Sequence, residues 1–289
     1  MPLYWKLISS VPALEVLSWR MVFSGIFLIV LCVWGRRVHF LHYFKERRAC
    51  ISFLASGLIV TINWGVYVWA TNAHYILEAS LGYYLCPLST VLLGQIFFKE
   101  SITKAQVLSL VLAAIGTAYF IAHEGASIWI SLVLALSFSC YGAVKKKAGY
   151  EALSGMAFES LITGLIGAVL MMLALPFPGI WNLTPTTPAA SAVFNPYLQV
   201  ILLMGAGVLT AIPMLLFSSA ANKVPLTILG FIQYLGPSIA LVIGAVVFGE
   251  EFSNAHGLMV LLVWTGVLIA ALEPAFKRVQ GRIRRGNTR

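Results

Sequence analysis

One stretch of this chain occurs twice. Ala70–Ala118 aligns without a gap with Ala220–Leu268, 150 positions downstream. Identical pairs include Asn72 with Asn222, Tyr84 with Tyr234, Leu85 with Leu235 and Pro87 with Pro237. The identities continue with Gly94 and Gly244, Phe98 and Phe248, Glu100 and Glu250, Gly116 and Gly266. Internal repetition outranks any local motif as a guide to architecture. Both copies are apolar enough to cross a bilayer, and a membrane chain built of two related halves has the layout of a carrier.

Composition fixes the class. The chain has 289 residues, of which 60% are hydrophobic and only 10% charged, with a mean hydropathy of +0.91. A soluble domain carries about 25% charged residues. There are ten Glu, no Asp, and nineteen Lys plus Arg. The cysteines Cys32, Cys50, Cys86 and Cys140 lie in or beside apolar runs without CxxC spacing. That supports neither a disulfide framework nor a zinc site and reads them as small buried apolar residues.

A membrane span needs about 20 mostly apolar residues. Nine complete spans are expected, over Pro12–Trp34, Cys50–Thr71, Ile76–Phe98, Ala105–Ala122, Ser127–Val144, Gly155–Leu175, Tyr197–Ala220, Leu226–Phe248 and Ala255–Leu272. Pro176–Pro196, rich in Pro and Thr, reads as an exposed irregular loop. The basic residues then set the orientation. Five follow the first span, two the third, three (Lys145, Lys146, Lys147) the fifth, one (Lys223) the seventh, and six make the tail. Seventeen of nineteen therefore fall on one side, and positive loops stay cytoplasmic. The C-terminus is expected in the cytoplasm, where the basic tail is placed to meet anionic lipid heads. This placement accounts for the net +9 without nucleic acid.

The same alternation puts the two copies in opposite orientations, since an odd number of spans per half forces inversion. Five per half would give ten. Met1–Leu7 reads as the last turns of a helix, so the expected chain begins late. The domain reading is a remnant of the first helix at 1–9, a first repeat over 10–122, a second over 127–273, and a basic tail over 274–289. The fold class is an all-α polytopic membrane protein with two inverted five-helix repeats, lacking most of the first helix.

Four stretches carry a family resemblance. They are Val11-Pro-Ala-Leu-Glu15 leading to Arg20, Asn72 to Tyr83 leading to Pro87, Ser137 to Lys147, and Leu229 to Pro237. In combination they resemble the RarD branch of the EamA-type drug/metabolite transporter superfamily, over nearly the whole chain. The resemblance implies a ten-helix inner-membrane permease of two inverted five-helix repeats. It also implies a link, in some members, to chloramphenicol sensitivity. It names no natural substrate.

Ionisable groups inside spans are costly and need a reason. Aligning Ala13-Leu14 with Ala152-Leu153 makes Arg20 the repeat mate of Glu159. The expectation is that the two face each other across the pseudo-twofold axis. Arg20 would then meet an anionic substrate group while Glu159 balances it or carries a proton; the competing reading is a structural ion pair. Glu15 and Glu78 stand at span starts, where a carboxylate favours the positive helix end. Glu100 and Glu250 are read as capping or loop residues, and His74 as a loop residue.

Asn63, Trp64 and Tyr67 share one helical face. Tyr83 and Tyr84 precede Pro87 by four and three residues, as Gln233 and Tyr234 precede Pro237. Each Pro removes a backbone donor, and freed carbonyls at membrane depth are tolerated where they line a cavity. These residues are the expected cavity walls, suited to a flat amphipathic organic solute. The competing reading is that Tyr and Trp anchor span ends. Gly94, Gly244, Gly116 and Gly266 are assigned to close helix packing.

The function these features fit best is a secondary transporter, a permease or exporter moving a small organic solute or drug across the cytoplasmic membrane by alternating access. No G-x-x-x-x-G-K-[ST] run supports ATP hydrolysis, no cofactor motif is present, and Glu159 is the carboxylate to test for proton coupling. The alternative is an integral-membrane enzyme acting on lipid, which would ordinarily show paired acids for Mg²⁺. The only adjacent acids here are Glu250-Glu251. A channel would need a filter sequence, and none is evident.

Overall fold

The structure is a computed structural model that describes residues 4, 7–8, 11–35, 38–73, 75–125, 128–174, 196–248 and 253–286. Among these residues there is no strand, and nine helices or helix pairs are long and apolar enough to cross a membrane. An all-helical solution is expected where no water can satisfy backbone N–H and C=O groups. The helices are α1 (Ala13–Trp34), α2 (Arg47–Asn72), α3 (Ile76–Phe98), α4 (Lys104–Glu124), α5 (Ile128–Ala148), α6 (Ala152–Ala174), α7 (Pro196–Lys223), α8 (Leu226–Gln233), α9 (Leu235–Phe248) and α10 (Asn254–Gly286), with a 3-10 segment over Val38–Lys45.

Their bounds follow the nine expected spans, with two differences. The eighth span is broken at Tyr234 into α8 and α9. Pro237 cannot donate to the carbonyl four residues back, that of Gln233, so the ladder fails there. Its repeat mate Pro87 is tolerated inside a continuous α3. The ninth span runs on as α10 to Gly286, so backbone expected as tail is helical. Residues 176–195 of the expected Pro/Thr loop, together with His74, Glu250 and Glu251, lie outside the described residues; Pro196 opens α7.

The chain forms two compact units. One comprises Met1–Ile76 and Leu136–Val224, the other Leu77–Ala135 and Pro225–Arg289, so each draws on both halves of the sequence.

In the second unit α4 and α10 pack antiparallel, and the contacts come in reciprocal pairs. A Cβ on Gly116 would lie 3.2 Å from the Cα of Met259, and one on Gly266 would lie 2.9 Å from the Cα of Ser109. Gly116 and Gly266 are repeat mates, and so are Ser109 and Met259. At the ends, Thr103 donates to Glu273, and Ser253, its repeat mate, donates to Glu124 at 2.6 Å. Reciprocal contacts of this kind require a two-fold axis. Because the helices are antiparallel, that axis runs perpendicular to them, which inverts one copy relative to the other. Capping is also duplicated. Thr103 forms a capping box with Gln106, and Ser253 Oγ accepts from the backbone N–H of His256 at 3.2 Å.

The first unit repeats this design with α1 antiparallel to α6. A Cβ on Gly25 would lie 3.0 Å from the Ser160 carbonyl oxygen, and one on Gly164 would lie 3.7 Å from that of Met21. These are again reciprocal mates, at the 139-residue spacing that aligns Ala13 with Ala152. The backbones approach this closely because small residues stand at the crossing. An aromatic cluster of Tyr43, Phe53, Tyr150 and Phe158 packs against the start of α2 and α6, with ring centroids 5.1 to 6.1 Å apart.

Candidate functional site

The densest charged cluster lies in the first unit, around Glu159. Its carboxylate meets Lys145 Nζ at 2.8 Å, with the two side chains only 4% and 3% exposed. Tyr141 donates to it at 3.1 Å, and Ser56 donates to the oxygen that faces Lys145. The cluster ties α2, α5 and α6 together. Lys145 Nζ also stands 5.5 Å from the ring centroids of both Phe53 and Tyr141, within cation–π range.

This corrects the expected pairing. The cation on Glu159 is Lys145, and Arg20 instead stacks its guanidinium 4.6 Å from the centroid of Trp64. The reason is geometric. Gly25 sits against Ser160, and Gly167 sits against Ser18, which places Arg20 level with residue 165 of α6. Its mate Glu159 is six residues away from that level, about 9 Å at ~1.5 Å per residue. In an antiparallel pair, mates meet only at the axis itself.

Trp64 and Glu159 share the wall of a cavity of about 20 Å³, whose other polar lining comes from Ser24, Ser160, Thr163 and Thr210. That volume holds about one water and excludes an organic solute in this conformer. Asn63 is buried and donates to Ser137 at 2.8 Å, joining α2 to α5. Tyr67 is half-buried one turn further along α2.

The second unit holds the other expected residues apart by environment. Tyr84 and Tyr234 are both buried in the apolar core with Leu81, Phe120 and Met259, while Tyr83 is 52% exposed. Gln233 accepts from Thr90 at 3.1 Å and from Cys86 at 3.5 Å. In this conformer Tyr84 and Tyr234 are packed within that core. Glu100 does cap a helix, though one distant in sequence. It accepts from the backbone N–H groups of Leu226 and Thr227, each at 2.8 Å, at the start of α8.

Glu15 departs from its expected capping role. It is wholly buried, and the one donor beside it, the Trp19 indole, falls short of good hydrogen-bond geometry. The N-cap of α1 is Pro12, with no side-chain cap. The helix dipole offers an anion about 0.3–1 kcal/mol, whereas stripping a carboxylate of water costs several kcal/mol. Burial dominates.

At the edge of the first unit, outside the spans, Tyr150 donates to Glu46. Burial and that neighbouring carboxylate push its phenol up to about 12. Burial likewise raises the Tyr43 phenol, helped by Glu151 and Glu46.

Sequence reasoning missed Lys145, Ser56 and Tyr141. Lys145 was grouped with Lys146 and Lys147 as a solvated loop cation. The available signal was spacing: Tyr141 and Lys145 are four apart, on one helical face, and Glu159 in its span required a cation.

Residues 2–122 match the EamA-like transporter family. The chain is 34% identical over 272 residues to the uncharacterized transporter YojE of Bacillus subtilis, covering 93% of this chain and 87% of that protein. It is 33% identical over 277 residues to protein RarD of Escherichia coli, covering 95% and 90%. A solved crystal structure superposes with a TM-score of 0.65 at 18% identity, covering 93% of each chain, and speaks to the fold.

Proposed function

Because the chain belongs to the RarD-type branch of the EamA transporter superfamily, we propose that it is a secondary carrier. It moves a small organic solute bearing an anionic group across the cytoplasmic membrane by alternating access. The observation that carries this reading is the charged cluster buried inside apolar spans, because ionisable groups at such positions mark substrate pathways. Lys145 pairs with Glu159, which lines a small cavity together with Trp64, and Arg20 stacks on that same Trp64. Lys145 neutralises Glu159, and Arg20, stacked on the Trp64 face, is the cation assigned here to the anionic group of the solute. The Trp64 ring offers an apolar surface for the rest of the solute.

The cavity of this conformer admits no solute. Transport therefore requires the cavity to open alternately to the two sides, and the inverted copies supply two related ways of doing so. On this reading the basic loops, and with them the C-terminus, face the cytoplasm. Lys99 and Lys223 should then react with an impermeant amine reagent only from the cytoplasmic face.

The test is transport by the purified full chain in proteoliposomes, screened with anionic, neutral and cationic aromatic solutes. Arg20→Gln should abolish transport of the anionic class while the protein remains in the membrane. Undiminished transport by that variant overturns the site.

A further inference from the structure

Two carboxyl groups are buried in the first unit, and their surroundings are opposite. Glu159 has a cation and two hydroxyl donors within reach. Glu15 has neither a cation nor a hydroxyl donor, although it is buried on α1, which packs on α6 and α7. The one donor beside it is the buried Trp19 indole N–H, one turn further along α1, which falls short of good hydrogen-bond geometry. Among the described residues, the charged or titratable groups on the elements packed against α1 are Glu159 on α6, Tyr197 and Lys223 on α7, and Arg47, Arg48, Cys50 and Tyr67 on α2. Arg20 and Cys32 lie on α1 itself, and Tyr4 precedes it. None of them bonds to Glu15.

A carboxylate anion enclosed without a cation, and with a single neutral donor beside it, takes up a proton rather than remain charged. We propose that Glu15 is a proton-binding site of the carrier, loaded in this conformer and sealed from solvent. The ion-paired Glu159, which the sequence marks for proton coupling, serves as a fixed counter-charge. A proton taken from solvent on one side is held as the carboxylic acid, and it leaves from the other side when the helix packing around Glu15 opens. The role in coupling rests on the carrier reading, whereas the proton on Glu15 does not.

Infrared difference spectroscopy of the full chain in lipid, with and without carbon-13-labelled glutamate, tests this at neutral pH. The chain has no aspartate, so the label reaches every side-chain carboxyl. The expected result is a label-sensitive C=O stretch of a protonated carboxylic acid. It should be lost in Glu15→Gln and retained in Glu159→Gln. Absence of such a band from the unsubstituted protein overturns the proposal even if a variant fails to fold. So does a band that survives in Glu15→Gln. No solute is involved, so failure of the carrier reading registers separately, in the transport screen.

Discussion

Replacing Lys145 by Met should be among the most damaging single changes in the first unit. The ion pair spans 2.8 Å with both partners almost fully enclosed. At an effective dielectric near 20 the attraction is about 6 kcal/mol. Removing each ion from water costs several kcal/mol, so the pair as a whole adds little to stability. Its halves behave differently. Lys145→Met leaves Glu159 enclosed with only the Ser56 and Tyr141 hydroxyls, at a cost of about 4 kcal/mol. Glu159→Gln keeps an acceptor for one hydroxyl, offers the other an amide N–H that its oxygen can accept, and leaves Lys145 facing two rings, so its cost should be lower, about 3 kcal/mol. The double replacement removes both charges and should cost only about 2 kcal/mol. The coupling energy is therefore about 5 kcal/mol in a double-mutant cycle. Denaturant unfolding of the purified protein in detergent measures all four corners. Additive single costs, or a double variant less stable than either single one, refute the reasoning.

Three further outcomes follow from the geometry. Gly116→Leu and Gly266→Leu should each cost about 1–3 kcal/mol by overpacking, and to a similar degree because they are mates; unfolding in detergent compares them directly. Glu100→Ala should cost about 1–2 kcal/mol as α8 loses its cap. Amide hydrogen exchange should then quicken at Leu226 and Thr227. The Tyr150 phenol, raised above its ordinary value, stabilises the fold below pH ~10, and that contribution is lost as pH rises through about 12. In an alkaline absorbance titration, Tyr150→Phe should remove one late phenolate step.

The spans were legible in the sequence because their signal is length and apolarity, which neighbours do not alter. The inversion was legible because a repeat and an odd span count together leave no other arrangement. The break at Tyr234 was half legible. Pro237 announces it, but the identical Pro87 produces none, so local sequence did not decide between them. The charged cluster was hidden for a different reason. Lys145, Lys146 and Lys147 are identical residues in a row, yet only the first turns inward, four positions after Tyr141, to meet Glu159. Which lysine of a run enters the protein depends on helix phase and on a partner in another element.

The copies agree where helices touch and differ where charge is held. Gly25 and Gly164, and Gly116 and Gly266, keep their reciprocal contacts. Arg20 and Glu159, also mates, carry opposite charges, and Tyr83 stands where its mate is Gln233. A two-fold axis forces each packing contact to be made twice, so a change at one copy of a glycine is felt against the other copy as well. The charged positions are released from that constraint because they face other elements, Arg20 toward Trp64 of α2 and Glu159 toward Ser56 of α2 and Tyr141 and Lys145 of α5. Each could acquire its own neighbours: Trp64 for one, and Lys145, Ser56 and Tyr141 for the other. Duplication thus accounts for a symmetric frame around an asymmetric polar interior. A single solute, which has no two-fold symmetry of its own, is best matched by such an interior.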